Sequence, residues 1–177
     1  VVVRPFTKIF NRGENGTDID RDEVCLSVRK VNGFMAAATW VDEVCDVVVS
    51  TTGSLDSDFV TLAEKYINED VKSYIKSMMY LEPGTFLFEI VDPSDPHIVP
   101  EDTGAYLIGF RPVYSDAAYT TSVTKEMDLD STARAMGVKR PEWKIQKFGD
   151  VVYEASACKH EGYVVYGLQT GKSLKIK

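Results

Sequence analysis

The chain has 177 residues, 44% of them hydrophobic, which is enough for one substantial core; residues 1–177 are read as a single domain. Its 27 Asp and Glu outnumber its 20 Lys and Arg for a net charge of −7, which argues against a chain that holds nucleic acid by overall charge and leaves only a local basic groove for that purpose. No apolar run approaches the roughly 20 residues of a membrane helix, the opening Val1-Val2-Val3-Arg4-Pro5 lacks the layout of a secretory signal, and Cys25, Cys45 and Cys158 form no C-x-x-C pair, so membrane and disulfide-framework classes are set aside in favour of a soluble, intracellular protein.

In chain order, residues 23–30 alternate as a strand, and residues 34–40 and 47–51 flank the polar Asp42-Glu43 region as an antiparallel hairpin. Phe59, Leu62, Ala63, Tyr66 and Ile67 then recur at the spacing of one helical face, and Val71, Tyr74, Ile75, Met78 and Met79 repeat it. Ser57 and Asn68 stand at the N-cap positions, and Leu81-Glu82-Pro83-Gly84 ends the second helix. Strands follow at residues 85–91 and 105–111, a short helix within residues 129–136, and strands at 151–154, 162–168 and 174–177. The last two are joined by the hairpin turn Gln169-Thr170-Gly171-Lys172. No repeat or linker divides the chain. The pattern is that of an α+β domain of antiparallel sheets with grouped helices. A start without Met and a strand-like end at Lys177 lead us to expect a piece of a longer protein, lacking its C-terminal domain.

Few residues stand out chemically. Asp18-Ile19-Asp20-Arg21-Asp22 begins like a calcium loop, but Glu23 replaces the turn glycine and Arg29 the bidentate glutamate, so it reads as a solvated acidic loop. His97 and His160 have no third ligand at metal spacing. Lys30 sits where an alternating strand runs into Asn32-Gly33, a pair with strong turn character, and such a junction can present an amine into a cleft. Glu89 and Glu161 lie inside or beside hydrophobic strands, where a charge is unusual unless it is paired or functional.

Lys30-Val31-Asn32-Gly33 resembles the Lys-x-Asp/Asn-Gly motif of the covalent nucleotidyltransferase superfamily of ATP-dependent ligases and RNA capping enzymes. Phe88-Glu89-Ile90-Val91, residues 105–111, Glu161-Gly162-Tyr163-Val164-Val165 and Leu174-Lys175-Ile176-Lys177 resemble its later motifs, in order and on strands. The segment at residues 4–14 is similar to the Arg-Pro-x-x-Lys-Phe-Phe-Asn opening of the bacteriophage RNA ligase 1 family. Ser50-Thr51-Thr52-Gly53-Ser54 resembles that family's Ser-Lys-Gly-Ser element, with Thr52 where a lysine is expected.

This resemblance implies the ligase and capping-enzyme catalytic fold, with ATP and Mg²⁺ (or Mn²⁺ in its place) as cofactors. Lys30 would be the nucleophile that takes AMP. A free lysine is almost wholly protonated at neutral pH, so the attacking amine must first lose a proton; adjacent cations and a metal ion favour that, the part implied for Lys175 and Lys177. Glu161 would associate with the metal. Arg4 and Lys8 would contact phosphate, Asn32, Gly33 and Glu89 would help to form the ATP site, and Phe110 and Val164 would clamp the adenine. The implied reaction joins RNA 5′-phosphate and 3′-hydroxyl ends, as in tRNA repair. Two alternatives stay open: another covalent nucleotidyltransferase, such as a DNA ligase or capping enzyme, and a non-catalytic nucleotide- or RNA-binding module.

Overall fold

Eight strands, four α-helices and one 3-10 turn at Glu14–Gly16 form the domain among the described residues of the computed structural model, which describes residues 3–97 and 99–177; Val1 and Val2 of the opening segment lie outside the described residues. The strands are β1 (Val24–Arg29), β2 (Phe34–Val41), β3 (Asp46–Thr51), β4 (Gly84–Val91), β5 (Gly104–Pro112), β6 (Trp143–Lys147), β7 (Tyr163–Gly167) and β8 (Ser173–Ile176). They make two four-stranded antiparallel sheets, β6-β1-β7-β8 and β3-β2-β4-β5. Among the described residues no helix is long and apolar enough to cross a membrane.

Side-chain alternation assigns each sheet an inner and an outer face. In the β3-β2-β4-β5 sheet, Ala36, Ala38, Phe86, Phe88 and Ile90 point outward beneath three helices, α1 (Asp58–Tyr66), α2 (Glu69–Met78) and α3 (Val123–Met136), and form the main core with Val60, Ile75 and Leu129. Burying each of the larger side chains stabilises the fold by roughly 1.5–3 kcal/mol. In the β6-β1-β7-β8 sheet, Cys25, Val165, Leu174 and Ile176 point outward onto Phe148 and Val151 of α4 (Phe148–Ala157). The inner faces look toward each other, with Tyr119 and Tyr166 in edge contact at 6.3 Å between ring centres.

The expected hairpins form: β2 pairs with β3 and β7 with β8, both antiparallel. Gly171 takes the left-handed φ of +68° that the second turn needs, and Glu23, almost fully buried, accepts the Gln169 and Thr170 N–H groups of that turn at 3.1 and 2.9 Å. Asn68 caps α2 by accepting from the N–H groups of Asp70 and Val71. Ser57 occupies the N-cap of α1 without a side-chain cap bond.

Three expectations are corrected. Residues 151–154 are helical, within α4, because Phe148, Val151 and Ala155 share one buried helical face despite the β-branched Val-Val pair. α3 begins at Val123 rather than within residues 129–136. Its first turns carry the buried Glu126, which is paired with Arg140 and accepts from Thr121 at 2.5 Å, so the usual apolar stripe is missing there. Finally β6, unanticipated, pairs with β1 along the sheet edge.

Candidate active site

The turn after β1 brings Lys30 to the inner face. In extended chain Lys30 follows Val28 by two residues, and Val28 stands opposite Val164 in β7, which in turn stands opposite Lys175 in β8. Val164, Lys175 and the entering Lys30 therefore share the face away from α4. The Lys30 N–H donates to the Gly162 carbonyl at 2.9 Å, anchoring the nucleophile candidate to the start of β7.

The Lys30 Nζ donates to Oε2 of Glu161 at 2.6 Å, and the Lys177 Nζ approaches Oε1 of the same carboxylate at 3.0 Å. Burial acts on Glu161 most strongly and pushes its pKa up, but the hydrogen bonds and charges of Lys30 and Lys177 together outweigh it and hold the carboxyl below its ordinary range. Glu89, on the inner face of β4, accepts the Gly33 N–H at 3.1 Å. Its pKa is pushed up to about 7, chiefly by burial, with Glu161 adding to the rise and Lys30, the Gly33 N–H and His97 opposing it. The two carboxylates of this site thus carry opposite shifts, the arrangement by which neighbouring acids take different protonation states.

Two glycines make these contacts possible. A Cβ on Gly33 would lie 2.1 Å from the Ile90 carbonyl oxygen, and one on Gly162 would lie 2.0 Å from that of Ile176, where the backbone also has φ +100°. Neither position admits a side chain without displacing a neighbouring strand.

Of the sequence-predicted residues, Lys30, Glu161 and Lys177 are joined in one group and Gly33 and Glu89 in a second, and Val164 and Lys175 share the face of Lys30. Asn32 lies in the turn, its N–H directed at Glu101 at 3.4 Å. Arg4 and Lys8 are not brought to the group. The Arg4 guanidinium donates to the Ser115 carbonyl at 2.7 Å and to Asp116, and Lys8 is largely exposed 3.7 Å from Glu14. Phe110 turns the other way: its ring packs at 4.7 Å between centres on Phe86, on the outer face beneath α3. A register shift opposite Leu87 and Phe88 explains this, since one extra residue in β5 reverses the alternation beyond it. Ile108 stays inward, against Val31, Val91 and Tyr106, a residue missed from the sequence because no bulge was visible there.

On the same sheet a cavity of about 740 Å³ is lined by Met35, the register partner of Glu89, together with Ala37, Ser50, Thr51, Thr52 and Ser54. Thr52 presents a hydroxyl there in place of the expected lysine amine. Among the described residues no group of three or more His, Cys, Asp and Glu side chains gathers as a metal cage. Mg²⁺ commonly takes only one or two carboxylates beside substrate phosphates and water. The single Glu161 carboxylate, flanked by Lys30 and Lys177, therefore fits an ion that arrives with a nucleotide.

Two antiparallel four-stranded sheets packed with helices make a nucleotidyltransferase fold. RNA ligases of known structure share it. An RNA ligase of Naegleria gruberi with pyrophosphate matches with a TM-score of 0.69 at 14% identity, over 98% of this chain and 55% of that one. An archaeal ATP-dependent RNA ligase matches with a TM-score of 0.69 at 11% identity, over 98% and 48%. A lysine-to-alanine mutant of the Naegleria enzyme, with ATP and Mn, gives 0.70 at 12% identity, over 98% and 55%. The chain thus spans about half the length of these ligases. No family model matches the sequence, and no curated protein matches it.

Proposed function

We propose that this chain is the adenylyltransferase part of an ATP-dependent RNA ligase, of the kind found in the bacteriophage RNA ligase 1 family. The observation that carries the reading is the Lys30–Glu161–Lys177 group, set between two sheets of the ligase fold with Glu89 and Gly33 beside it. Lys30 Nζ attacks the α-phosphorus of ATP, forming a P–N bond and releasing pyrophosphate as the P–O bond to the β-phosphate breaks. An oxygen of an RNA 5′-phosphate then takes the AMP from Lys30. In the last step an RNA 3′-hydroxyl attacks that 5′-phosphate, AMP leaves, and the strands are joined, as tRNA repair requires.

The residues divide this work by position. Glu161 pairs with the Lys30 ammonium and is the carboxylate that would hold a divalent ion; a bound Mg²⁺ or Mn²⁺ would supply positive charge to the phosphates. Lys175 and Lys177 add cationic charge on the same face, offsetting the phosphates. Val164 from one sheet and Ile108 from the other supply the apolar surface on which a flat base packs. Glu89, its buried carboxyl pushed up to about 7, can donate to or accept from a ribose hydroxyl. The work is proposed for the cytoplasm, or the host cytoplasm if the source is viral.

Incubation with α-labelled ATP and Mg²⁺, followed by denaturing electrophoresis, tests this reading on the chain and its Lys30→Ala variant. Acid-labile label on the wild type alone supports it. Label from GTP in place of ATP, or joining of nicked DNA in preference to RNA, would indicate a capping-type or DNA-ligase activity. No label with either metal would leave a nucleotide- or RNA-binding module.

A further inference from the structure

Glu101 stands in the connection between β4 and β5, and its side chain is only 2% exposed. A carboxylate withdrawn that far from water is costly unless charge and hydrogen bonds compensate it. Its Oε2 accepts from Nη2 of Arg29 at 2.6 Å, and its Oε1 faces the Asn32 N–H at 3.4 Å. Those two partners bracket Lys30. Successive residues of an extended strand point in opposite directions, so the directions of Arg29 and Lys30 are fixed together. Gripping the Arg29 guanidinium therefore limits how the strand can rotate beneath Lys30.

The surrounding contacts complete the hold. The Arg29 N–H donates to the Glu142 carbonyl at 2.8 Å, and Val31 is buried against Val91 and Tyr106. Other polar groups of the same connection serve other ends: Asp92 accepts from Lys65 and Tyr66, and the Asp102 carbonyl accepts from the Tyr106 hydroxyl. Only Glu101, among the described side chains of that connection, touches both sides of the nucleophile.

We propose that Glu101 is a positioning residue for Lys30: through the Arg29 guanidinium and the Asn32 amide it fixes the backbone from which the amine is aimed at Glu161 and at the α-phosphorus of a nucleotide. The assignment rests on the adenylyl-transfer reading of Lys30. Glu101 itself contacts none of Lys30 Nζ, Glu161 or Lys177, so it acts through the chain and not on the reacting atoms.

The test compares Glu101→Gln and Glu101→Ala with Glu23→Gln, which alters a buried carboxylate at the distant β7–β8 hairpin. Single-turnover labelling at saturating ATP, corrected for folded fraction, is expected to slow about 10-fold in the first and about 100-fold in the second, as loss of alignment without loss of binding predicts. The ATP concentration for half-maximal rate should stay within about 3-fold of wild type in both. Glu23→Gln should melt earlier yet label at the wild-type rate. A second readout needs no ATP: acetylation of Lys30 relative to Lys159, measured by peptide mass spectrometry, should change in the Glu101 variants and not in Glu23→Gln. Unchanged rate and unchanged Lys30 acetylation at equal folded fraction would overturn the proposal, as would a half-maximal ATP concentration that rises in step with the lost rate. If the wild type takes no label, the adenylyl-transfer reading fails, and the acetylation comparison alone decides whether Glu101 sets the Lys30 position. Should Glu101→Ala not fold, the isosteric Glu101→Gln carries the same comparison.

Discussion

Lys30 and Glu161 lie 131 residues apart in sequence and 2.6 Å apart in the fold. Because Lys177 shares the carboxylate, removing its charge leaves two ammonium groups facing each other. Glu161→Gln should abolish labelling from ATP. It should also cost about 1–3 kcal/mol in stability: the Lys177 pairing is screened by solvent, but Lys30 is mostly buried and loses its partner. Urea unfolding and the labelling assay check both parts; wild-type labelling in Glu161→Gln would remove Glu161 from the transfer.

The Glu89 carboxyl, with its pKa raised to about 7, predicts a pH dependence of the opposite sign from most acids. Its folded-state pKa exceeds the ordinary value of 4.5, so the folded chain binds the extra proton across that window. Its stabilising contribution is complete below pH 4.5 and is lost as pH rises through 7, a total on the order of 3 kcal/mol. Glu89→Gln keeps an oxygen to accept the Gly33 N–H but cannot ionise. Melting temperatures of the two proteins between pH 5 and 8 should converge at the acid end and favour the variant at the alkaline end. Parallel curves would show that Glu89 titrates normally.

Substitution at the two close-approach glycines should disable the site from the backbone. Gly33→Ala and Gly162→Ala each require a strand to move away from a carbonyl, and a destabilisation of about 2–4 kcal/mol is expected from such overpacking, with the additional strain of a positive φ at Gly162. Chemical denaturation measures it. A fully stable Gly33→Ala protein would contradict the approach of the turn to β4.

Phe110 and Ile108 should separate stability from nucleotide binding. Phe110→Ala empties part of the packing under α3 and should cost about 3 kcal/mol while leaving the ATP concentration for half-maximal labelling unchanged. Ile108→Ala and Val164→Ala should raise that concentration several-fold with a smaller loss of stability. The reverse pattern would return the base contact to Phe110.

The candidate site residues that stood out in the sequence are those that break a local rule. Glu89 interrupts an apolar strand and Lys30 precedes the Asn32-Gly33 turn pair; each anomaly asks for a tertiary contact, and Glu161 meets the Lys30 amine while Glu89 accepts the Gly33 N–H. What was not legible depends on pairing. Tyr106, Ile108 and Phe110 alternate perfectly as a string, and only the register shift against β4 sends Phe110 to the opposite face. β6 offers little pattern because it is an edge strand with Lys144, Ile145 and Lys147 exposed. α4 was masked by its Val151-Val152-Tyr153 run, whose β preference is overruled by the pocket that Cys25, Val165 and Leu174 present to it.

Phe10 and Arg12 exchange backbone bonds with Lys175 at 2.8 Å, so Asn11 lies parallel to β8. The outer rim of that sheet is thereby already occupied by the protein's own backbone, whereas the opposite rim, β6, is guarded by lysines. Trimming residues 3–12 would do more than delete a peripheral segment: it would leave β8 with unsatisfied donors and acceptors, and the shortened protein should pair with itself through that rim, visible as concentration-dependent dimers in sedimentation.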